Sequence, residues 1–399
     1  MSLGLTLEQA RARLLGCAQE YALDSVEHVG SDQALGRILA TPLYASVSVP
    51  PAANSAMDGY ALCAKSCRPG VGYEVSQTVL AGSSPAPLQE GTLARIFTGA
   101  EIPPGADTVV IQENVSPGDT GVIINTPFSA GDNIRPAGQD VAQGQQVLTK
   151  GRRLRPQDLA LAASVNTVEL AVRGRLKVGL LVTGAELVSP GQPLTPGKIY
   201  NSNQPMLSAL FAQMGCELVT QQAVSDDYNA TCQALETASA QADVIVTTGG
   251  VSVGDADRVK AAVESLGQLD FWRVAMKPGK PIAFGRVGQT PFIGLPGNPV
   301  SAYVTFQLLL RPFVQALMGE SVSHLHRLEL PANFTRVTAG RRDEYARGQI
   351  TADGVALFPQ QSSGALSSVV WADCLVYIPA GQLIRRGDTV QVLPMNQWV

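Results

Sequence analysis

Apolar positions recur at helical spacing near the start of the chain. Leu7, Ala10, Leu14 and Leu15 share one face of a segment that also carries Glu8 and Arg11, which predicts an amphipathic helix. A second, shorter helical pattern covers Ser31 to Leu39. Pro42, Pro50 and Pro51 then hold the chain extended. From about residue 52 to 140 the pattern changes to short β-like runs between turn residues: Tyr73 to Leu80, Leu93 to Phe97, Thr108 to Ile111 and Gly121 to Ile124. Runs this short and this closely spaced predict a small barrel or sandwich. Residues 141 to 172 read as a return path, with Pro156 opening a helix over Gln157 to Ala163. The two flanking stretches are therefore expected to pack together around the inserted β region.

Strands and helices alternate from 173 to about 322. Strands are expected at Lys177 to Val182, Ala242 to Thr247, Phe271 to Met276 and Phe292 to Leu295. Helices are expected at Gln204 to Met214 and Asp255 to Leu266, with a long one over Pro299 to Met318 that contains Pro312. This alternation predicts a parallel sheet covered by helices on both faces, with its ligand at the carboxyl ends of the strands. Short β runs return after 323, at Leu328 to Leu330, Leu375 to Ile378 and Thr389 to Leu393, and predict a small all-β domain.

Composition narrows the class. The chain has 399 residues, 45% hydrophobic and 16% charged, which is globular and long enough for several domains. A net charge of −4 gives no excess of cations for a nucleic-acid partner. The 39 Gly and 26 Pro interrupt the chain too often for a coiled coil. No apolar run reaches the ~20 residues needed to cross a bilayer, and no signal-peptide pattern opens the chain, so a cytoplasmic protein without a membrane partner is expected. Cys17, Cys63, Cys67, Cys216, Cys232 and Cys374 are scattered without a CxxC pair, and there are three His; reduced, packed thiols are expected rather than a zinc site.

Candidate chemistry collects at loops. Thr247-Thr-Gly249-Gly250-Val-Ser252-Val-Gly254-Asp255, followed by Asp257, carries a strand through a Gly-rich turn into a helix. Glycines admit an anion close to the backbone, and the helix start supplies free N–H groups. The pattern is neither a Walker A loop nor a dinucleotide fingerprint. Asp255 and Asp257 either favour the helix dipole or hold a hard cation such as Mg²⁺. Thr183-Gly184-Ala-Glu186 repeats the strand-end arrangement, with Glu186 a metal ligand or a helix-start acid. Asn201-Ser202-Asn203 can cap the helix that follows, and Asp226-Asp227 can line the same cleft. Lys277-Pro-Gly-Lys280-Pro holds two cations on a stiff loop, which suits an anion. Gly294-Leu-Pro296-Gly-Asn298-Pro299 reads as a complete helix cap and equally as an anion-ready helix end. In the β region, loops around Asp58, Thr98 and Asp140 suggest a surface that completes a site.

Taken in order, NSAMDGYA (54 to 61), TGAEIPPGADTVV (98 to 110), IRPAGQDV (134 to 141), VTGAEL (182 to 187), IYNSN (199 to 203), TTGGVSVGDAD (247 to 257), KPGKP (277 to 281) and GLPGNPVSA (294 to 302) resemble the MoeA-type molybdopterin molybdenumtransferases, a family that includes the E domain of gephyrin. The resemblance implies an α/β multidomain fold of four domains. These are an elongated linker (1–49 and 141–172), an inserted β domain (50–140), a parallel-sheet α/β molybdopterin-binding domain (173–322) and a C-terminal β-barrel-like domain (323–399). It implies a homodimer with each site built between protomers, and contact with the adenylyltransferase that supplies the substrate. It also implies Mg²⁺-dependent insertion of molybdate into adenylyl-molybdopterin with release of AMP. Carried onto this sequence, the catalytic set is Asp58, Thr98, Asp140, Asp227, Lys277, Lys280 and Arg347, and the metal ligands are Glu186 and Asp257. The substrate-binding set is Thr183, Gly184, Ser202, Gly249, Gly250, Ser252, Gly254, Pro296, Pro299, Ser367 and Ser368.

Overall fold

The computed structural model describes residues 4–225, 227–250, 258–279, 281–322 and 325–395. Helix α1 (Leu7–Ala18) is started by Thr6, whose hydroxyl accepts from Gln9 N while the Gln9 side chain accepts from Thr6 N. Its Leu7, Ala10, Leu14 and Ala18 are buried. The second helical pattern is cut short: only Ser31–Ala34 is helical, because Gly36 turns to a positive φ of 73° and Ile38 and Leu39 pair as bridges instead. Val26–Gly30 pairs antiparallel with Glu169–Arg173, and Leu43–Tyr44 with Gln146–Leu148, so two distant stretches form one body. Helix α2 (Pro156–Ser164) belongs to it. Its Asp158 is buried and accepts from Arg155 N, Arg155 Nε and the Arg152 guanidinium at 2.8–3.1 Å.

Between these stretches, strands β1 (Gly59–Leu62), β2 (Val75–Val79), β3 (Leu93–Ile96) and β4 (Thr108–Ile111) make a sheet in the order β2-β3-β1-β4. Ala61, Val79, Ala94, Ile96 and Val109 form a core on one side, and Leu62, Leu93 and Val110 contribute to another.

The central sheet contains β5 (Lys177–Thr183), β6 (Glu217–Val224) and β7 (Val244–Thr248), with helices α3 (Asn203–Gln213), α4 (Tyr228–Gln241) and α5 (described over Arg258–Leu266). Further along come β8 (Gly267–Arg273), β9 (Met276–Lys277), β10 (Pro281–Val287) and β11 (Thr290–Leu295). The order is β6-β5-β7-β11-β10-β8. β6, β5, β7 and β11 run parallel, but β10 is antiparallel to both its neighbours. The sheet is therefore mixed rather than wholly parallel. The missed strand is β10, joined to β11 by a tight turn at Gly288 (φ 57°). Strand β5 is buried on both faces, which is why it reads as an unbroken apolar run. Val178, Leu180 and Val182 face α3, while Leu181 faces α4 and α5.

The long helix is continuous but changes pitch: α6 (Pro299–Thr305), a π-helical turn at Phe306–Leu310, then α7 (Arg311–Leu317). Pro312 offers no N–H and crowds the carbonyl one turn back, so the wider turn ahead of it accommodates the ring. Its Phe306 meets Phe211 edge-on at 5.2 Å, and Phe313 meets Phe284 at 5.8 Å.

The C-terminal strands are β12 (Leu328–Pro331), β13 (Asp343–Thr351), β14 (Gly354–Leu357), β15 (Cys374–Ile378) and β16 (Thr389–Pro394). Their sheet runs β9-β13-β15-β16-β12, with β14 on β13. Its first strand is thus β9, donated by the α/β region, with Met276 and Lys277 opposite Asp343 and Glu344. Tyr345, Leu375 and Leu393 enter the same apolar core as α1, the central sheet and the long helix. Among the described residues no helix is long and apolar enough to cross a membrane.

The Asp158 carboxyl is pushed up by burial, but hydrogen bonds from Arg155 and Arg152 outweigh this and hold it at about 2. A depressed carboxyl stabilises the fold above its unfolded value near 3.8, and that contribution disappears as pH falls through about 2. Asp158→Asn should therefore cost about 2 kcal/mol at neutral pH. The gap between variant and parent in urea unfolding should close as pH drops from 4 toward 2 (about two units).

Candidate functional site

Three strand-end loops of the central sheet meet. Gly249 and Gly250, after β7, both have positive φ (86° and 62°). A Cβ on Gly249 would lie 2.3 Å from the Thr183 carbonyl oxygen, and one on Gly250 2.4 Å from Val259. Only glycine permits this approach to the end of β5 and the start of α5. Thr248 Oγ1 donates to Pro296 O at 3.0 Å, and Asn203 Nδ2 donates to Thr248 Oγ1 (3.0 Å) and to Gly297 O (2.7 Å). Pro296 is thereby fixed against β7. Among the described residues, the buried hydroxyls of Thr183 and Thr247 at these strand ends have no hydrogen-bond partner.

The Asn201–Asn203 run divides its labour. Asn201 Oδ1 accepts from Gln204 N at 3.1 Å and caps α3, Asn203 is the buried bridge just described, and Ser202 is half-buried without a capping bond. Glu186 is exposed, with its carboxylate folded over Gly184. Asp227 caps α4, accepting from Ala230 N at 2.8 Å. Asp226, Ser252, Gly254, Asp255, Asp257 and Lys280 lie outside the described residues. Among the described residues no group of three or more His, Cys, Asp or Glu side chains gathers as a metal would need.

A second feature opens beside these loops. A cleft of about 680 Å³ separates the 277–281 loop and Ser301 from the C-terminal segment 359–363, with Arg342 on its wall. Asn298 stands at the cap position of α6 but makes no cap bond; instead Val300 N, in the first turn, donates to Ser363 O across the cleft at 3.1 Å. The helix end expected to be capped from within is thus capped by the C-terminal domain. Pro299 follows Asn298 at the first helical position. Gly279 approaches the helix so closely that a Cβ would lie 2.4 Å from Thr305 Oγ1.

Charges around the cleft are paired through one buried carboxylate. Glu344, whose side chain is 4% exposed, lies 3.2 Å from Lys277 Nζ and 2.5 Å from an Arg336 guanidinium nitrogen. Arg347 is fully buried on β13. Its Nε donates to Ser368 Oγ (3.0 Å) and its Nη2 to Ser362 O (3.2 Å), while Nη1 is buried without a hydrogen-bond partner among the described residues. Ser368 is buried beside it and Ser367 is exposed. Burial pushes the Arg347 guanidinium down from its usual range, and Glu344 counteracts this. Glu344, Ser301, Arg342 and Gln361 escaped sequence reasoning. The available signal was a charged pair, Asp343-Glu344, at the start of a strand whose next residues are buried.

In the inserted domain, Asp58 accepts from Thr98 N at 2.8 Å and Thr98 Oγ1 at 2.7 Å. These bonds, helped by Arg95, hold its carboxyl below the ordinary range. Arg95 stacks on Tyr60 and Phe97 at 5.0 and 4.8 Å and donates to Gln112. Asp140 is exposed, with its N–H on Val49 O. Thr98→Val removes the hydroxyl bond and keeps the backbone one. NMR titration of the Asp58 carboxyl should therefore show its midpoint moving up toward the ordinary carboxylate value; an unmoved midpoint would show that the hydroxyl does not hold it.

Family models match in order along the chain: the MoeA N-terminal region (domain I and II) over 5–166, a "Probable molybdopterin binding domain" over 179–316, and the MoeA C-terminal region (domain IV) over 330–395. The molybdopterin molybdenumtransferase of Haemophilus influenzae is 36% identical, with 98% of this chain and 99% of that protein covered. The one from Synechococcus elongatus is 39% identical over 92% of this chain and 94% of its own length. A crystal structure of the molybdopterin biosynthesis MoeA protein from Pyrococcus horikoshii superposes with a TM-score of 0.83 at 26% identity, covering 98% and 99% of the two chains. Strand-end glycine loops, a cation-lined cleft and this end-to-end similarity together place the chain in the MoeA family of molybdopterin molybdenumtransferases.

Proposed function

We propose that this protein inserts molybdate into adenylyl-molybdopterin, giving Mo-molybdopterin and AMP, as a step of molybdenum cofactor biosynthesis. The observation that carries the reading is the cleft between the 277–281 loop and the 359–363 segment. Molybdate is a tetrahedral dianion, and the cleft offers it an ammonium at Lys277, a guanidinium at Arg342, the hydroxyls of Ser301, Ser362 and Ser363, and no thiol or imidazole. Such donors suit an oxyanion. Behind the cleft, Arg347 and Ser368 supply further polar groups.

In this reading the pterin and its pyrophosphate lie along the strand-end loops, where Gly249 and Gly250 allow backbone approach and the buried Thr183 and Thr247 hydroxyls have no partner among the described residues. Thr183, Gly184, Ser202, Pro296 and Pro299 border that path; Ser252 and Gly254, which the family resemblance assigns to the substrate, lie outside the described residues. Lys277 and Lys280 hold phosphate or molybdate oxygens in place. The oxygen-only donors at the end of β5 suit a hard cation; Glu186 and Asp257 would hold Mg²⁺, which supplies offsetting charge to the leaving AMP phosphate. Asp227 keeps the start of α4 in place beside it.

The reading extends to assembly. The exposed Asp58–Thr98 pair and Asp140 complete the site across a homodimer, and the adenylyltransferase hands over its product by direct contact. Four domains, bounded at 1–49 with 141–172, 50–140, 173–322 and 323–399, would each contribute a wall or a spacer, in a cytoplasmic enzyme.

Purified protein given adenylyl-molybdopterin, molybdate and Mg²⁺ should release AMP, and omission of molybdate should abolish the Mo-bearing product. ATP consumption without preformed adenylate would instead indicate an adenylylating enzyme. Asp257→Ala should lower the rate by about 100-fold or more, as expected for a lost charge-stabilising ligand.

A further inference from the structure

The Lys277–Glu344–Arg336 triad is asymmetric. Arg336, with a side chain 21% exposed, does not line the cleft, whereas Lys277, with a side chain 48% exposed, does. A buried carboxylate must keep a cationic partner, because an unpaired charge there is strongly destabilising. Arg336 supplies that charge from 2.5 Å, although Glu344 Oε2 accepts no well-aligned hydrogen bond among the described residues. Lys277 is therefore the partner that can leave. Its backbone is held while it does so: β9 pairs with β13, Pro278 and Gly279 are buried, and Gly279 lies against Thr305. The Lys277 side chain, 48% exposed, lines the cleft.

We propose that Glu344 is a positioning residue that parks Lys277 in the substrate-free protein and releases it to the oxyanion that enters the cleft. The proposal rests on the oxyanion reading of the cleft given above. An incoming anion and Glu344 compete for the same ammonium group, and Arg336 keeps Glu344 neutralised after the exchange. The competition weakens resting anion affinity and fixes where Lys277 starts. Removing the carboxylate should therefore tighten ground-state binding while slowing turnover, a split that simple loss of structure does not produce.

The test is a double-mutant cycle on the full-length protein, with molybdate binding followed by calorimetry. Glu344→Gln should bind molybdate about tenfold more tightly than the parent while its kcat falls. In a Lys277→Met background the same change should leave molybdate affinity unaltered. Equal tightening in both backgrounds, or none in either, overturns the proposal. Should Glu344→Gln fold poorly, Glu344→Asp keeps a charge for Arg336 and draws it back from Lys277, and should tighten binding by a smaller factor. A ligand-free readout separates this idea from the function it rests on: Lys277 acylation by acetic anhydride, read by mass spectrometry, should be faster in Glu344→Gln than in the parent. Unchanged acylation overturns the parking role whatever the protein binds, whereas a parent that binds no molybdate overturns the oxyanion reading of the cleft.

Discussion

A single buried carboxylate, Glu344, stands where the α/β region and the C-terminal sheet become one body. The pairing of Met276–Lys277 with Asp343–Glu344 is two residues long, too short to hold two sheets together alone. Two things reinforce it: the shared apolar core, which Tyr345, Leu375 and Leu393 join, and the ion pairs from Lys277 and Arg336 to Glu344. The shared core supplies most of the cohesion; the charges fix register, since a one-residue slip would bury an unpaired carboxylate. The cleft is the space left between the loops on either side of this joint, so its width and its charge have a common origin.

The strand-end loops obey a different constraint. Here backbone must touch backbone, and Gly249 against the Thr183 carbonyl leaves no room for any side chain. Asn203 and Thr248 then lock the neighbouring loop through Gly297 and Pro296. The hydroxyls left without partners among the described residues, Thr183 and Thr247, are buried at the carboxyl ends of β5 and β7, where open parallel sheets take their ligands. The inserted domain keeps its own cores, and its Asp58–Thr98 pair is positioned locally by β1 and the turn after β3.

Much of this was legible in the chain. The short apolar run within Lys177–Thr183 reads as a buried strand by its length and the Gly that follows it, and the Thr6–Gln9 and Pro156 starts announce their helices. The ordered loop motifs carried the family. What escaped detection depended on pairing partners, one adjacent in sequence and the others distant. Pro281–Val287 looks like a continuation of the KPGKP loop, and only its hairpin with Thr290–Leu295 makes it a strand. Asn298 has the composition of a cap, yet Val300 takes its acceptor from Ser363, a residue of another domain. Glu344 is an ordinary acid in the sequence and becomes decisive only when Lys277 and Arg336 converge on it.

The central claim is that the cleft between the 277–281 loop and the 359–363 segment receives the oxyanion. Crystals soaked in molybdate, with diffraction recorded across the molybdenum absorption edge, test it most directly. An anomalous peak bordered by Lys277, Ser301 and Ser362 is the expected result. A peak at another place in a preparation that still turns over substrate would contradict it.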